Sequence, residues 1–302
     1  MTYRRTLRRE VGCTGIGLHS GKPVRLRLEP APPGSGIRFY RSDVGVEIPA
    51  RIEYLARLDH ATTLSRDGVS IGTVEHLLSA LSGLGVDDVR VEVSGSEVPI
   101  LDGSAAPFVI LIHEAGLRPQ PVARRYLKVR ETVEVVRGSK RVRVSPSDHL
   151  RVSYEIGFDH PLLRQQAISL RVTASSFVES IAPARTFGFL REVELLRQNG
   201  LALGGSLENA VVIGESGVLN KLRFPDEFVR HKVLDAIGDL ALLGHPIVGH
   251  VEGCKAGHAL HTALARELLS RPEAWSLVTQ PHLPVLELPG TAPGRELAAE
   301  PT

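Results

Sequence analysis

Residues 225–243 read PDEFVRHKVLDAIGDLALL and are the most informative segment of the chain. It carries His231, Asp235 and Asp239 four residues apart, a spacing that places all three on one face of a helix. Most of its other residues are apolar, so the segment otherwise has the pattern of a buried helix. A buried carboxylate needs a charge partner or a metal, and a histidine four residues before an aspartate can reach the same divalent ion. The stretch therefore predicts a metal-binding helix, with a helix that has one solvated face as the alternative.

A second stretch, GTVEHLLSAL at residues 72–81, has the same character. Thr73 is the predicted N-cap, which places Glu75 in the first helical turn. Zinc hydrolases use three protein ligands, an open coordination position and a nearby carboxylate base. We expect Glu75 to be that base. The expected ligands are His76, His231 and Asp235.

A third polar element, GHAL at residues 257–260, opens the last amphipathic helix. Histidine titrates near neutral pH, which suits it to proton transfer. We expect His258 to act as a general acid, with Asp239 orienting its ring. Other histidines are predicted to be surface or packing residues: His60, His113, His149, His160, His245, His250 and His261.

Length and composition fit a two-domain enzyme, because 302 residues at 42% hydrophobic content can bury an ample core. With 36 basic and 34 acidic residues, the chain lacks the positive charge typical of nucleic-acid-binding proteins. It has neither an apolar run near the roughly 20 residues that span a bilayer nor the apolar core of a signal peptide. Cys13 and Cys254 are isolated, which argues against disulfides and thiolate zinc sites. We expect a cytoplasmic monomer without stable membrane insertion.

Strand and helix patterns alternate along the chain in an α+β manner. Helices are predicted near residues 73–84, 105–115, 174–181, 190–199, 226–243 and 257–270. Two prolines within residues 117–121 predict a linker, so we place two domains at 1–120 and 121–302. Each half has a histidine-bearing helix that leads into an apolar strand, at 89–93 and at 247–251. This likeness predicts duplicated α+β domains that face each other across a metal.

Motifs along nearly the whole chain extend this interpretation. They are TGIGLHSG at 14–21, TVEHL at 73–77, PILDGSAAPF at 99–108, ARTFGF at 184–189, LGGS at 203–206, FVRHKVLDAIGDL at 228–240 and KAGHAL at 255–260. In this order they resemble the UDP-3-O-acyl-N-acetylglucosamine deacetylases, the zinc amidases of lipid A biosynthesis. The resemblance implies hydrolysis of the N-acetyl group of UDP-3-O-acyl-N-acetylglucosamine to UDP-3-O-acyl-glucosamine and acetate, the committed step of that pathway.

The resemblance also implies roles for individual residues. It implies Zn²⁺ on the three expected ligands, with Fe²⁺ left open as the ion in the cell. Glu75 would be the base and His258 the acid, with Asp239 as its partner. Lys232 would hold substrate or transition-state charge, and the Thr186 hydroxyl would donate to the developing oxyanion.

Substrate contacts are implied for Leu18, His19, Phe158, Phe187, Leu201, Ser206 and Val212. Residues 201–212, with Leu18 and Phe187, resemble a passage for the acyl chain, and His19 would lie near the mouth of the active site. Phe158 resembles an aromatic residue that contacts uridine, and it follows Gly157, where relatives often carry aspartate.

The fold implied by the resemblance is two similar two-layer α+β domains, each a sheet with helices, packed helix to helix. Small inserts are expected at about 38–70 and about 190–222, and the metal at the domain interface. Two alternatives stay open. A metal-free binding protein would need the His/Asp pattern to be only a solvated face. Another zinc-dependent amidohydrolase would keep the metal without needing an apolar segment at 201–212.

Overall fold

A computed structural model describes residues 2–58, 60–160, 163–215 and 217–279. The α-helices are α1 (Glu75–Leu84), α2 (Ala106–Ala115), α3 (Ala174–Ser180), α4 (Leu190–Gln198), α5 (Glu227–Leu240) and α6 (His258–Ser270). All six predicted helices are confirmed, although α5 ends early and continues as a 3₁₀ helix at Ala241–Leu243. Within the described ranges, no helix combines the length and apolarity needed to cross a bilayer. Residues 280–302 of the predicted second domain lie outside the described residues.

The strands form two large sheets and several small ones. They are β1 (Tyr3–Leu7), β2 (Val11–Ile16), β3 (Pro23–Pro30), β4 (Ile37–Arg41), β5 (Val46–Pro49), β6 (Leu55–Arg57), β7 (Thr63–Arg66), β8 (Val69–Ile71), β9 (Val89–Val93), β10 (Leu117–Ala123), β11 (Tyr126–Val129), β12 (Val133–Arg137), β13 (Lys140–Ser145), β14 (Arg151–Ile156), β15 (Gln166–Arg171), β16 (Phe187–Phe189), β17 (Val211–Ile213), β18 (Ile247–Val248), β19 (His250–Cys254) and β20 (Trp275–Val278).

The two large sheets have the same topology. Their strand orders are β2-β3-β9-β4-β5 and β12-β13-β19-β14-β15. In both sheets the central strand pairs antiparallel on one side and parallel on the other. The predicted similarity of the two halves is therefore confirmed.

Each large sheet buries one face. On β3, Val24, Leu26 and Leu28 are buried, because alternate side chains of a strand point to the same face. Val152 and Ile156 of β14 are buried in the same way. The buried faces are covered by helices, which gives each half the two layers expected of it.

The halves meet through α1 and α5, which pack against each other. Gly238 makes their close approach possible, since a Cβ at this position would lie 2.1 Å from the carbonyl oxygen of Glu75. A larger residue would force the helices apart, because protein interiors have no space for an added atom. The start of α1 thus lies beside the C-terminal half of α5. The predicted fold class, two α+β units packed helix to helix, is confirmed.

The segment predicted to be a linker is a strand instead. Strand β10 pairs antiparallel with β1, with Arg5 opposite Pro119. Prolines are tolerated there because, among the described residues, β10 pairs on one side only and needs fewer backbone donors. A domain boundary near residue 120 stays a prediction.

Two small sheets lie near the expected inserts. Strands β6, β7 and β8 form a three-stranded sheet within residues 55–71, while β4 and β5 belong to the large sheet although they fall inside the predicted 38–70. Strands β16 and β17 pair in parallel, with α4 between them in the chain. The three-stranded sheet therefore covers only part of the predicted first insert.

Candidate active site

The predicted ligands come together where α1 meets α5. We call His76, His231 and Asp235 the ligand cluster. Their ligand atoms all lie within 4.8 Å of one another, and all three side chains are buried. The Nε2 atoms of His76 and His231 lie 3.8 and 3.3 Å from Oδ1 of Asp235.

Neighbouring groups hold this cluster from behind. The Nδ1–H of His231 donates to the carbonyl oxygen of Ala184 at 3.0 Å, which leaves its Nε2 lone pair free. The ammonium of Lys232 donates to Oδ2 of Asp235 at 2.8 Å, which leaves Oδ1 facing the two rings. Nε2 of His231 and Oδ1 of Asp235 therefore present free lone pairs beside Nε2 of His76, and this arrangement fits a divalent ion.

The protonation states also suit metal binding. Burial and the neighbouring His231 lower the pKa of His76 to about 3, and burial lowers the pKa of His231. Burial would raise the pKa of Asp235, but His231 and Lys232 outweigh it and hold this pKa well below its usual range. The imidazoles are thus neutral and the carboxylate is ionised near neutral pH.

Glu75 begins α1, and its side chain is buried. Its Oε2 accepts a hydrogen bond from the backbone N–H of Thr62 at 3.1 Å. Burial raises the pKa of Glu75 to about 7, although His258 partly opposes this shift. A carboxylate with a pKa near neutrality is suited to general base catalysis.

A second group, which we call the acid cluster, consists of the buried Asp239 and His261 and the half-buried His258. Oδ2 of Asp239 accepts hydrogen bonds from Nδ1 of His258 and from Nδ1 of His261, both at 2.8 Å. Burial would lower the pKa of His258, but Asp239 outweighs it and raises this pKa to about 10. His258 is therefore a protonated imidazole that can donate a proton.

Two members of this hydrogen-bond network were not predicted. His261 was predicted to be a surface or packing residue, and that role is incomplete, because its buried ring bonds to Asp239. Its position three residues after His258 on α6 was the available signal. Thr62 donates to Oδ1 of Asp239 at 2.5 Å, and nothing in the sequence indicated this contact.

The predicted N-cap at Thr73 is wrong. Val74 occupies the N-cap position of α1, and none of the side chains that the structure describes caps the helix there. Thr73 has a φ of +56°, in the left-handed region, and its hydroxyl donates to Oε1 of Glu97 at 2.8 Å. The threonine therefore contacts a glutamate of another segment and not the helix end.

Aromatic side chains adjoin the ligand cluster. The Phe187 ring lies 6.2 Å from the ring of His231, and the Lys232 ammonium lies 5.4 Å from its centroid. Phe158 packs edge to face on Phe187 at 5.8 Å. Thr186 precedes Phe187, and its backbone N–H donates to the carbonyl of Gly103 at 2.8 Å. The two predicted phenylalanines therefore form one surface beside the ligands.

The loop with Leu18 and His19 contacts the second predicted insert. The carbonyl oxygens of these two residues accept hydrogen bonds from Gly204 and Leu203. A cavity of about 320 Å³ is lined by His19 and Leu201, among other residues. The structure thus brings these three predicted residues together.

Ser206 and Val212 lie in different surroundings. Ser206 is exposed, and its N–H donates to the side chain of Asn209 at 2.8 Å. Val212 is buried in β17, opposite Gly188 of β16 and next to the phenylalanine surface.

Fold and site together fit a hydrolase in which a buried carboxylate and an imidazolium lie beside one group of candidate metal ligands. The sequence profile of the UDP-3-O-acyl N-acetylglycosamine deacetylases matches residues 4–270. The chain belongs to this family.

Curated relatives agree with this assignment. A protein of Myxococcus xanthus named UDP-3-O-acyl-N-acetylglucosamine deacetylase is 52% identical over 279 residues, or 91% of this chain and 89% of the relative. A protein of the same name from Anaeromyxobacter dehalogenans is 50% identical and covers 91% of this chain and 90% of its own. A third, from another Anaeromyxobacter, is 51% identical, covering 90% of this chain and 91% of the relative.

Proposed function

We propose that this chain hydrolyses the N-acetyl group of UDP-3-O-acyl-N-acetylglucosamine, giving UDP-3-O-acyl-glucosamine and acetate in the committed step of lipid A biosynthesis. The observation that carries the chemistry is the position of Thr62 between base and acid. Its N–H lies 3.1 Å from Oε2 of Glu75, and its hydroxyl lies 3.3 Å from Nδ1 of His258. An ionisable carboxylate and an imidazolium therefore lie close together beside the ligand cluster.

The ligand cluster would hold Zn²⁺, with Fe²⁺ as the alternative in the cell, because two neutral imidazoles and a carboxylate suit both ions. When bound, the ion supplies a Lewis acid that polarises the acetyl carbonyl. This role fits the free lone pairs of the ligand cluster.

In the proposed reaction, Glu75 removes a proton from the attacking water. The water oxygen bonds to the acetyl carbon, and the C–N bond breaks with its electron pair on nitrogen. His258 gives its proton to this nitrogen, which leaves as the amine of glucosamine. Asp239 keeps His258 oriented and protonated beforehand.

Lys232 and Thr186 would stabilise charge on the reacting carbonyl oxygen. Lys232 already donates to Asp235, so its ammonium lies at the edge of the ligand cluster. Thr186 directly precedes Phe187. It lies on the same segment as Ala184, whose carbonyl oxygen orients His231. Both groups would bind the transition state more strongly than the substrate, so their removal should lower kcat.

The substrate would extend in two directions from the ligands. The acyl chain would follow Leu18, Phe187 and residues 201–212, while Phe158 would contact uridine. Substrate contacts by His19, Leu201, Ser206 and Val212 belong to the same proposal. We propose that the enzyme acts as a cytoplasmic monomer.

Acetate release from the UDP-linked acylated sugar by metal-loaded protein tests the proposal. UDP-N-acetylglucosamine without the acyl chain is the matched substrate, and we expect much slower release from it. Equal rates for the two would favour another zinc-dependent amidohydrolase. Absence of stoichiometric metal and of turnover would favour a binding protein.

A further inference from the structure

A buried tyrosine extends the acid cluster by one hydrogen bond. The hydroxyl oxygen of Tyr154, on β14, lies 2.7 Å from Nε2 of His261, on α6. His261 in turn reaches Asp239, on α5, at 2.8 Å through Nδ1. All three side chains are at most 2% exposed. Three separate elements therefore join in one chain of hydrogen bonds that ends at the partner of His258.

The direction of each bond follows from the donors and acceptors available. An ionised carboxylate can only accept, so Nδ1 of His261 must carry a proton. In a neutral ring the other nitrogen, Nε2, is then an acceptor. The Tyr154 hydroxyl supplies the proton for that bond, since a buried O–H without an acceptor is costly. The phenol therefore selects one tautomer of His261.

The surrounding fold makes room for a ring at position 154. Gly253 lies opposite Tyr154 in the neighbouring strand β19, and a Cβ there would be 2.2 Å from Cε2 of the tyrosine. A phenylalanine would fill the same space, so packing alone does not require the hydroxyl group. What the tyrosine adds over a phenylalanine is its hydroxyl group, which bonds to His261.

Asp239 is held from three sides. Oδ1 accepts from Thr62, while Oδ2 accepts from both His258 and His261. Without His261, the carboxylate could rotate about its Cβ–Cγ bond and still keep one partner. With it, the oxygen that orients His258 has a fixed position.

We infer that Tyr154 and His261 are positioning residues for the general acid: Tyr154 fixes the tautomer of His261, whose Nδ1–H fixes the orientation of Asp239 and thereby of His258. This inference rests on the proposed function, in which His258 gives its proton to the leaving amine. The charged or titratable groups that interact with His258 include Asp239, Asp235, Glu75, His261, His76 and His231.

The first test measures the tautomer in metal-loaded wild-type protein. We expect ¹⁵N NMR of labelled histidines to show Nδ1 protonated and Nε2 unprotonated in His261, with the signal assigned by its loss in His261→Asn. A proton on Nε2 and none on Nδ1 would overturn the inference. This result needs no turnover, so it is independent of the proposed function.

The second test measures turnover by variants. His261→Ala and Tyr154→Phe should lower kcat about 10-fold, the scale on which lost outer hydrogen bonds act, with KM and metal content unchanged. His261→Asn should recover much of the loss, because its side-chain N–H can take the place of Nδ1–H. Matched controls are Tyr126→Phe and His250→Asn, whose side chains bond to Thr2 and Ser153.

The outcomes separate the two hypotheses. Wild-type kcat in folded His261→Ala and Tyr154→Phe would overturn the positioning role and leave the proposed function intact. Lack of acetate release by the wild type would instead contradict the proposed function. If either variant fails to fold, the tautomer of His261 measured in the wild-type protein supports or overturns the inference.

Discussion

The ligand cluster and the acid cluster have the same composition, one carboxylate and two imidazoles, and differ in the direction of their hydrogen bonds. In the ligand cluster the ring nitrogens lie 3.3 and 3.8 Å from the aspartate oxygen, and Ala184 and Lys232 bond to the outer atoms. In the acid cluster both rings donate to one carboxylate oxygen at 2.8 Å. The first arrangement leaves lone pairs free for a cation, whereas the second fills them with protons. Composition alone therefore does not identify a metal site.

Replacement of His231 by alanine removes a lone pair from the ligand cluster and should have the largest effect. We expect most of the protein to be metal-free and nearly inactive. Its melting temperature should fall as well, because a ligand at a thousand times its Kd stabilises the folded state by ~4 kcal/mol. Elemental analysis and thermal melting measure the two changes, with His250→Ala as the control. Full metal occupancy in His231→Ala would contradict the assignment of the cluster.

Glu75→Gln and His258→Ala should each lower kcat by about 10²–10⁴ while metal stays bound. Activity needs Glu75 ionised, so the rate should rise with pH through about 7, and it needs His258 protonated, so the rate should fall through about 10. Glu75→Gln should lose the acidic limb and His258→Ala the basic limb. Profiles of kcat against pH check this. An unchanged basic limb in His258→Ala would move the acid role to Lys232.

The two clusters should affect stability at opposite ends of the pH scale in metal-free protein. The pKa of His76 falls from 6.5 to about 3 on folding, so stability present above pH 6.5 is lost as the pH falls toward 3. The pKa of His258 rises from 6.5 to about 10, so stability present below pH 6.5 is lost as the pH rises toward 10. Urea unfolding across this range measures both.

Glutamine variants separate these two contributions. His76→Gln should flatten the acidic side of the stability profile, and His258→Gln should flatten the alkaline side. If both variants flattened the same side of the stability profile, the two clusters would not differ as described.

Gly238→Ala tests the helix contact that brings the two clusters together. An added methyl group in a packed core costs about 1–3 kcal/mol of unfolding free energy, and here it meets the backbone of Glu75 at 2.1 Å. Metal affinity should fall with stability, because α1 carries His76. Gly95→Ala is the control, since its Cβ would lie 3.7 Å from Val24. Unchanged stability in Gly238→Ala would mean that α1 and α5 can move apart freely.

The ligand cluster was predictable because two of its members share one helix face. His231 and Asp235 are four residues apart in an apolar segment, which is a local pattern of the sequence. The acid cluster was predicted only in part. Thr62 and Asp239 are 177 residues apart, and Tyr154 and His261 are 107 apart, so no local pattern links them. His261 could have been predicted, because it lies three residues after His258 on the same helix.

Local periodicity in the sequence determined the helices, the alternating strands and the face on which each polar residue lies, because these depend on neighbours a few positions away. Which histidines are neutral with a free lone pair, and which donate to a carboxylate, was set by the packing of distant segments. That choice depends on the Ala184 carbonyl behind His231 and on Asp239 beside His258, which come together only when α1, α5 and α6 pack. The strand at residues 117–123 has the same origin, since its pairing partner is the distant β1.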